Sequence, residues 1–180
     1  MTEIWLHPNR RALWSTLATF AALGGLALFA VWKFESIAVQ LIAGLLALIA
    51  LLMVGAAAVE LRRPRIAYRD GKVLFNLRGS APAAVPAEVV EAFFLGQGPA
   101  HLPTIHSEIP ECVNLIARLS EKAPEWSRVE VKPALGQWCE GYVTIRGTWC
   151  EPLTVEVIRR LNRRLRELRE AAAASAGEAT

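Results

Sequence analysis

The sequence predicts a membrane α-hairpin followed by a small all-β or α+β domain, a β-barrel or sandwich closed by a C-terminal amphipathic helix. Three observations predict it. Two long uncharged apolar runs, residues 12–32 and 36–59, are separated only by Lys33, Phe34 and Glu35. Short alternating apolar stretches, punctuated by Gly and Pro, follow between residues 66 and 146. The segment after Pro152 then switches to helical periodicity, with six Arg between residues 157 and 170.

At a rise of about 1.5 Å per residue each apolar run covers roughly 30 Å as a helix, the thickness of a bilayer's hydrocarbon core. The organisation that follows is a cytoplasmic segment at 1–11, a transmembrane hairpin at 12–59 (spans 12–32 and 36–59), a domain at 60–170 and a disordered tail at 171–180. Arg10 and Arg11 precede the first run, and Arg62, Arg63, Arg65 and Arg69 follow the second, whereas the loop between them holds Lys33 offset by Glu35. Positive charge concentrates on the cytoplasmic side, so both termini are expected in the cytoplasm. Trp14 and Trp32 bracket the first run where amphipathic rings favour the interface. A cleaved signal peptide is the competing reading, but its apolar core is about 7–15 residues and no second span should follow at once.

Small residues recur at four-residue spacing in both runs: Ala18 and Ala22, Ala21 and Gly25, Ala43 and Ala47. That spacing lets helices approach closely in lipid. Neither run contains an ionisable residue, which gives no support to transport or proton relay.

In the domain, Ile66 and Tyr68 lead into Asp70-Gly71, a hairpin dipeptide, and Val73, Phe75 and Leu77 alternate beyond it. Residues 79–86 are expected as a loop, and 88–95 as a helical turn running into a strand that Gly96-Gln97-Gly98-Pro99 ends. Residues 99–110 carry three prolines and are expected as an irregular loop. Val113 to Leu119 and Val129 to Val131 alternate again. A single strand over 138–146 places Cys139, Gly141, Val143 and Ile145 on one face, which buries the Cys139 thiol. Thr154 is the candidate N-cap of the last helix, whose stripe is Ile158, Leu161, Leu165 and Leu168. Arg163 with Glu167 and Arg166 with Glu170 are spaced for i,i+4 pairs.

Charge is unevenly spread over a net +3. Residues 60–79 hold six basic against two acidic residues, 80–156 five against ten, and 157–170 six against two. An acidic middle between basic ends excludes the coherent basic face that a nucleic-acid binder needs. The candidate membrane-surface or partner contacts are Arg62, Arg63, Arg65 and Arg69, together with Arg159, Arg160, Arg163 and Arg164. The lipid bilayer and a protein are the expected partners.

Trp138-Cys139-Glu140 recurs as Trp149-Cys150-Glu151. With Cys112, His101 and His106 these thiols could supply a zinc site or a redox pair, but no CxxC or HxxxH spacing accompanies them. The three cysteines form no even-numbered framework and are expected to be reduced, packing as small hydrophobes. His101, Ser107 and Glu108 lack the context of a nucleophile, and Gly96-Gln97-Gly98 is not followed by a phosphate-loop pattern. No catalytic residue, cofactor or metal ligand is assigned. Three function classes follow: a non-enzymatic membrane-anchored interaction module, an anionic-lipid-sensing or envelope-maintenance protein, and a thiol- or metal-dependent enzyme using Cys139 and Cys150.

Several motifs carry a resemblance. They are Arg65-Ile66-Ala67-Tyr68-Arg69-Asp70-Gly71-Lys72-Val73-Leu74, the turn Val85-Pro86-x-Glu88-Val89-Val90, Ile145-Arg146-Gly147 before the last helix, and the block at 132–153. With five to seven strands closed by one helix, the chain resembles bacterial, planctomycete-type two-transmembrane-helix membrane proteins with a pleckstrin-homology-like (PH-like) cytoplasmic domain. The resemblance implies a fold and an inner-membrane address. It brings no catalytic or ligand-binding residues, because such domains share a shape rather than a chemistry.

Overall fold

The computed structural model describes residues 2–79, 81–99 and 111–178. Its elements in chain order are β1 (Glu3–Leu6), α1 (Arg10–Lys33), α2 (Ile37–Arg62), β2 (Ile66–Arg69), β3 (Lys72–Phe75), β4 (Ala83–Pro86), β5 (Val90–Pro99), β6 (Glu111–Leu119), β7 (Gly136–Cys139), β8 (Tyr142–Arg146) and α3 (Val155–Glu178). Two units result: Pro8–Arg63, and a unit joining Met1–His7 to Pro64–Thr180.

The first unit is the helical pair, and both helices are long and apolar enough to cross a membrane. Asn9 caps α1, its side-chain oxygen accepting from the Ala12 N–H at 3.2 Å. The side chains withdrawn from the surface alternate three and four apart: Leu17, Phe20, Gly24, Ala27 and Val31 on α1, and Ala43, Ala47, Ala50, Val54 and Ala57 on α2. This is the seam of an antiparallel coiled coil. A Cβ at Gly24 would sit 3.2 Å from the Ala50 Cβ, so glycine sets the closest approach. Ala43 and Ala47 belong to the seam, whereas Ala18, Ala21, Ala22 and Gly25 are exposed. Trp14 and Trp32 are exposed near the two ends of α1.

The second unit contains two antiparallel four-stranded sheets, ordered β1-β2-β3-β4 and β5-β6-β8-β7. They are open sheets, so of the expected barrel or sandwich the closed barrel is not formed. Trp5, Leu6, Ile66, Val73, Phe75 and Val85 of the first sheet share one core with Phe93, Leu115, Ala117, Trp138, Val143 and Ile145 of the second. Helix α3 adds Val157, Leu161 and Leu165 to it, with Ile158 and Leu168 half-buried alongside. Thr154 caps the helix as its sequence position predicts, accepting from the Val157 N–H at 3.5 Å.

The Asp70-Gly71 hairpin forms as predicted, with φ of 50° and 77°. Other expectations change. Residues 3–6 contribute strand β1 to the domain, although four residues are too few to signal a strand alone. Part of the expected loop at 79–86 is strand β4, held by pairing with β3 (Leu74 opposite Ala84) at an edge where Pro86 is tolerated. Strand β5 continues through Gly96-Gln97-Gly98 to Pro99 instead of ending there. Those glycines make room for cross-strand neighbours, since a Cβ at Gly96 would overlap the Ile116 side chain. Residues 100–110, which include most of the expected proline loop with His101, His106, Ser107 and Glu108, lie outside the described residues.

The single strand expected over 138–146 is a hairpin. Glu140 and Gly141 both take positive φ, 52° and 76°, so Cys139 pairs with Tyr142 across a two-residue turn. The turn resets the parity: Trp138 and Val143 face the core, and Cys139 does not. Val129 and Val131 pack inward as an alternating segment but join no strand ladder. Helix α3 runs on through the alanines to Glu178, where a disordered tail is expected from 171; alanine has the best helix propensity of any residue.

Candidate functional site

Two of the eight arginines singled out from the sequence, Arg62 and Arg63, belong to the helical unit, and the other six to the strand domain. Arg62 is exposed at the end of α2, and Arg63 lies 3.8 Å from the Glu60 carboxylate. Arg65 is only 3 % exposed, and its Nε donates to the carbonyl of Trp149 at 3.1 Å. It joins β2 to the turn before α3, so its place as a surface contact is corrected: the side chain is part of the domain's internal bonding. Arg69 is exposed and pairs with the adjacent Asp70 at 3.0 Å.

On α3, Arg160 binds the Glu151 carboxylate at 2.7 Å and the Trp5 carbonyl at 3.3 Å. Arg164 pairs with Glu3 at 3.1 Å and with Glu167 at 3.1 Å, in place of the expected Arg163–Glu167 pair. These contacts clamp β1 to the helix. The Glu151 carboxylate also accepts from the His7 N–H at 3.3 Å. Arg159 and Arg163 remain on the exposed side, among Glu156, Arg166, Glu167 and Glu170. That face carries both signs of charge and is not a one-sided basic patch.

The repeated Trp-Cys-Glu takes two unrelated conformations. In the first copy Trp138 is buried edge-on against Phe75, its indole N–H donating to the Trp126 carbonyl at 2.7 Å. Cys139 is half-buried on the outer side of β7, and Glu140 sits in the turn. In the second copy Trp149 ends a 3₁₀ turn and Cys150 is buried, donating to the Arg146 carbonyl at 3.3 Å. Burial pushes the Cys150 thiol up to about 12, with Arg65 opposing the rise. The expected burial of Cys139 is therefore corrected: its thiol is half-buried on the outer side, and Cys150 is the buried one. Among the described residues no group of three or more His, Cys, Asp or Glu side chains could hold a metal ion.

The fold assembles one feature that was not legible in the sequence. Residues 127–133 form an extended strap, fixed by Gly141 N–H to the Ser127 carbonyl (3.1 Å), Lys132 N–H to Leu77 (2.9 Å) and Arg78 Nε to Glu130 (2.9 Å). Arg146, 5 % exposed, donates its Nε to Pro133 at 2.8 Å. Burial lowers the pKa of that guanidinium and Cys112 partly restores it.

A recess of about 610 Å³ lies between the strap and β7, lined by Arg128, Val129, Val131, Trp138, Cys139 and Arg146. A second, of about 420 Å³, is lined by Arg78, Gly79 and Lys132 and shares Glu130, Val131 and Pro133 with the first. Four basic residues thus line the two recesses against one acidic residue, Glu130. Arg128, Lys132 and Arg146 come from the acidic middle and Arg78 from the basic stretch before it, which is why a charge count along the chain did not group them. The chain matches no protein-family model, no curated protein and no solved structure.

Proposed function

We propose that this protein is a non-enzymatic interaction module, anchored in a bacterial inner membrane by α1 and α2, that presents a PH-like domain to the cytoplasm. The observation that carries the reading is the pairing of β1 with β2, Ile4 opposite Ala67 and Leu6 opposite Ile66. These strands flank the helical pair in sequence. Both ends of a membrane hairpin must therefore emerge on the same side for the sheet to form. The basic residues on both flanks favour the cytoplasm as that side.

Two sheets followed by one C-terminal helix support the PH-like reading, although the sheets are open. Arg65, Arg160, Arg164 and Arg169 are engaged in bonds to the domain's own carbonyls and carboxylates, which favours protein contact over headgroup binding. Chemical cross-linking of the full chain in native membranes, followed by purification and mass spectrometry, tests the proposal. A stoichiometric protein partner bound through the strand-and-α3 domain supports it. A chain that cross-links only to lipid through that domain overturns it.

A further inference from the structure

We infer that the open stretch of the β7 edge at Trp138, between the two ends of the strap, is a docking site for an extended, acidic segment of a partner protein, which adds to the second sheet as a short fifth strand. This rests on the reading of the domain as an interaction module. In the β7–β8 hairpin, Cys139 pairs with Tyr142 across the turn, and Arg146 N–H donates to Leu135 at 3.0 Å. Antiparallel ladders alternate, so Gln137 also bonds to β8, while Trp138 turns its main-chain N–H and carbonyl outward; the outward Gly136 N–H is already taken by the Lys132 carbonyl at 3.1 Å. Among the described residues no strand pairs with that side of β7.

The opposite edge of the same sheet is treated differently. There Asn162 of α3 accepts from the Phe93 N–H at 2.8 Å and donates to the Phe93 carbonyl at 2.9 Å, and Arg169 donates to Val90. Edges left open are templates for strand pairing, and proteins usually cover them. At β7 the edge opens onto the 610 Å³ recess, a volume within the range of ordinary ligand sites.

The chemistry of the recess specifies the occupant. The half-buried Val129 and Val131 line the recess and offer apolar surface to side chains of an added strand, whereas Trp138, also in its lining, is itself buried in the core. Arg128 is exposed at the rim, and Arg78, Lys132 and Arg146 extend the positive field, with Glu130 alone opposing it. An acidic strand satisfies both the main-chain edge and the charge. A lipid headgroup satisfies only the charge.

Cys139 lines the recess and reports on it. The test uses the full chain in zwitterionic nanodiscs, a peptide of alternating Val and Glu as probe, and the iodoacetamide reaction rate of Cys139, with Cys112 as internal reference. The peptide should slow Cys139 alone. Arg128→Glu should weaken that protection about tenfold, the scale of losing and then opposing an exposed ion pair. Methylating every second peptide nitrogen should abolish it, since those groups make the ladder.

Equal protection by a Val-Lys peptide, or by the methylated peptide, overturns the proposal. So does protection by anionic nanodiscs without any peptide, which would assign the recess to lipid. If no peptide protects Cys139 while cross-links map a protein partner to another face, the β7 assignment fails and the interaction-module reading stands.

Discussion

The main-chain N–H of Arg65 donates to the carbonyl of Leu6 at 2.8 Å, tying together the two segments that flank the helical pair. Leu6 is fully buried and Trp5 only 3 % exposed, Trp5 stacking on Tyr68 with ring centroids 5.6 Å apart. The N-terminal strand is therefore part of the domain core.

Leu6→Ala should destabilise the domain by about 2–5 kcal/mol, the range for truncating a buried leucine. Denaturant unfolding of the full chain in detergent, followed by tryptophan fluorescence, measures it. Removal of residues 2–6 should be worse still. An intact N-terminus in the membrane-extracted protein, by intact-mass measurement, is the corresponding expectation against signal-peptide cleavage.

Topology gives a second expectation. Alkaline phosphatase fused after Thr180 should be inactive, and the same reporter inserted at Lys33–Glu35 should be active. An active C-terminal fusion would place the domain in the periplasm and remove the cytoplasmic reading.

For α3, Leu161→Ala and Leu165→Ala should each cost about 2–5 kcal/mol, because both side chains are buried in the shared core. Arg163→Ala, on the exposed side, should change stability by less than about 0.5 kcal/mol. Asn162→Ala leaves the Phe93 N–H and carbonyl without their side-chain partner and should cost about 1–3 kcal/mol.

The thiols give a pH-dependent expectation. Cys150 is raised from 9.0 to about 12 by burial, so the folded state holds a proton that the unfolded state releases earlier. Its contribution to stability is complete below pH 9 and is lost as pH rises from about 9 towards 12. Cys150→Ser should flatten that alkaline slope, though it also changes packing. At pH 8 iodoacetamide should modify Cys139 in the folded chain and leave Cys150 untouched until the domain unfolds. Loss of reactivity at Cys139 rather than Cys150 would contradict the two burial states.

The two apolar helices, the Asp70-Gly71 turn and the Thr154-capped helix were legible because each is a local signal: uninterrupted hydropathy, a dipeptide suited to positive φ, and a cap followed by a periodic stripe. The β7–β8 hairpin was not. Glu140-Gly141 is a weaker turn signal than Asp-Gly, and reading through it inverted the faces of Trp138 and Cys139.

The sequence by itself determined the two long apolar helices, the short strands after them and the helix that packs on the sheets, since hydropathy and periodicity act over a few residues. Tertiary structure decided the rest. It recruited residues 3–6 into a sheet whose partner strand lies beyond the helical pair, buried Arg65 against the Trp149 carbonyl, and gathered Arg78, Arg128, Lys132 and Arg146 around one strap. Each depends on strand register between distant segments, and register is set by which side chains the shared core can bury together, a property no local window contains.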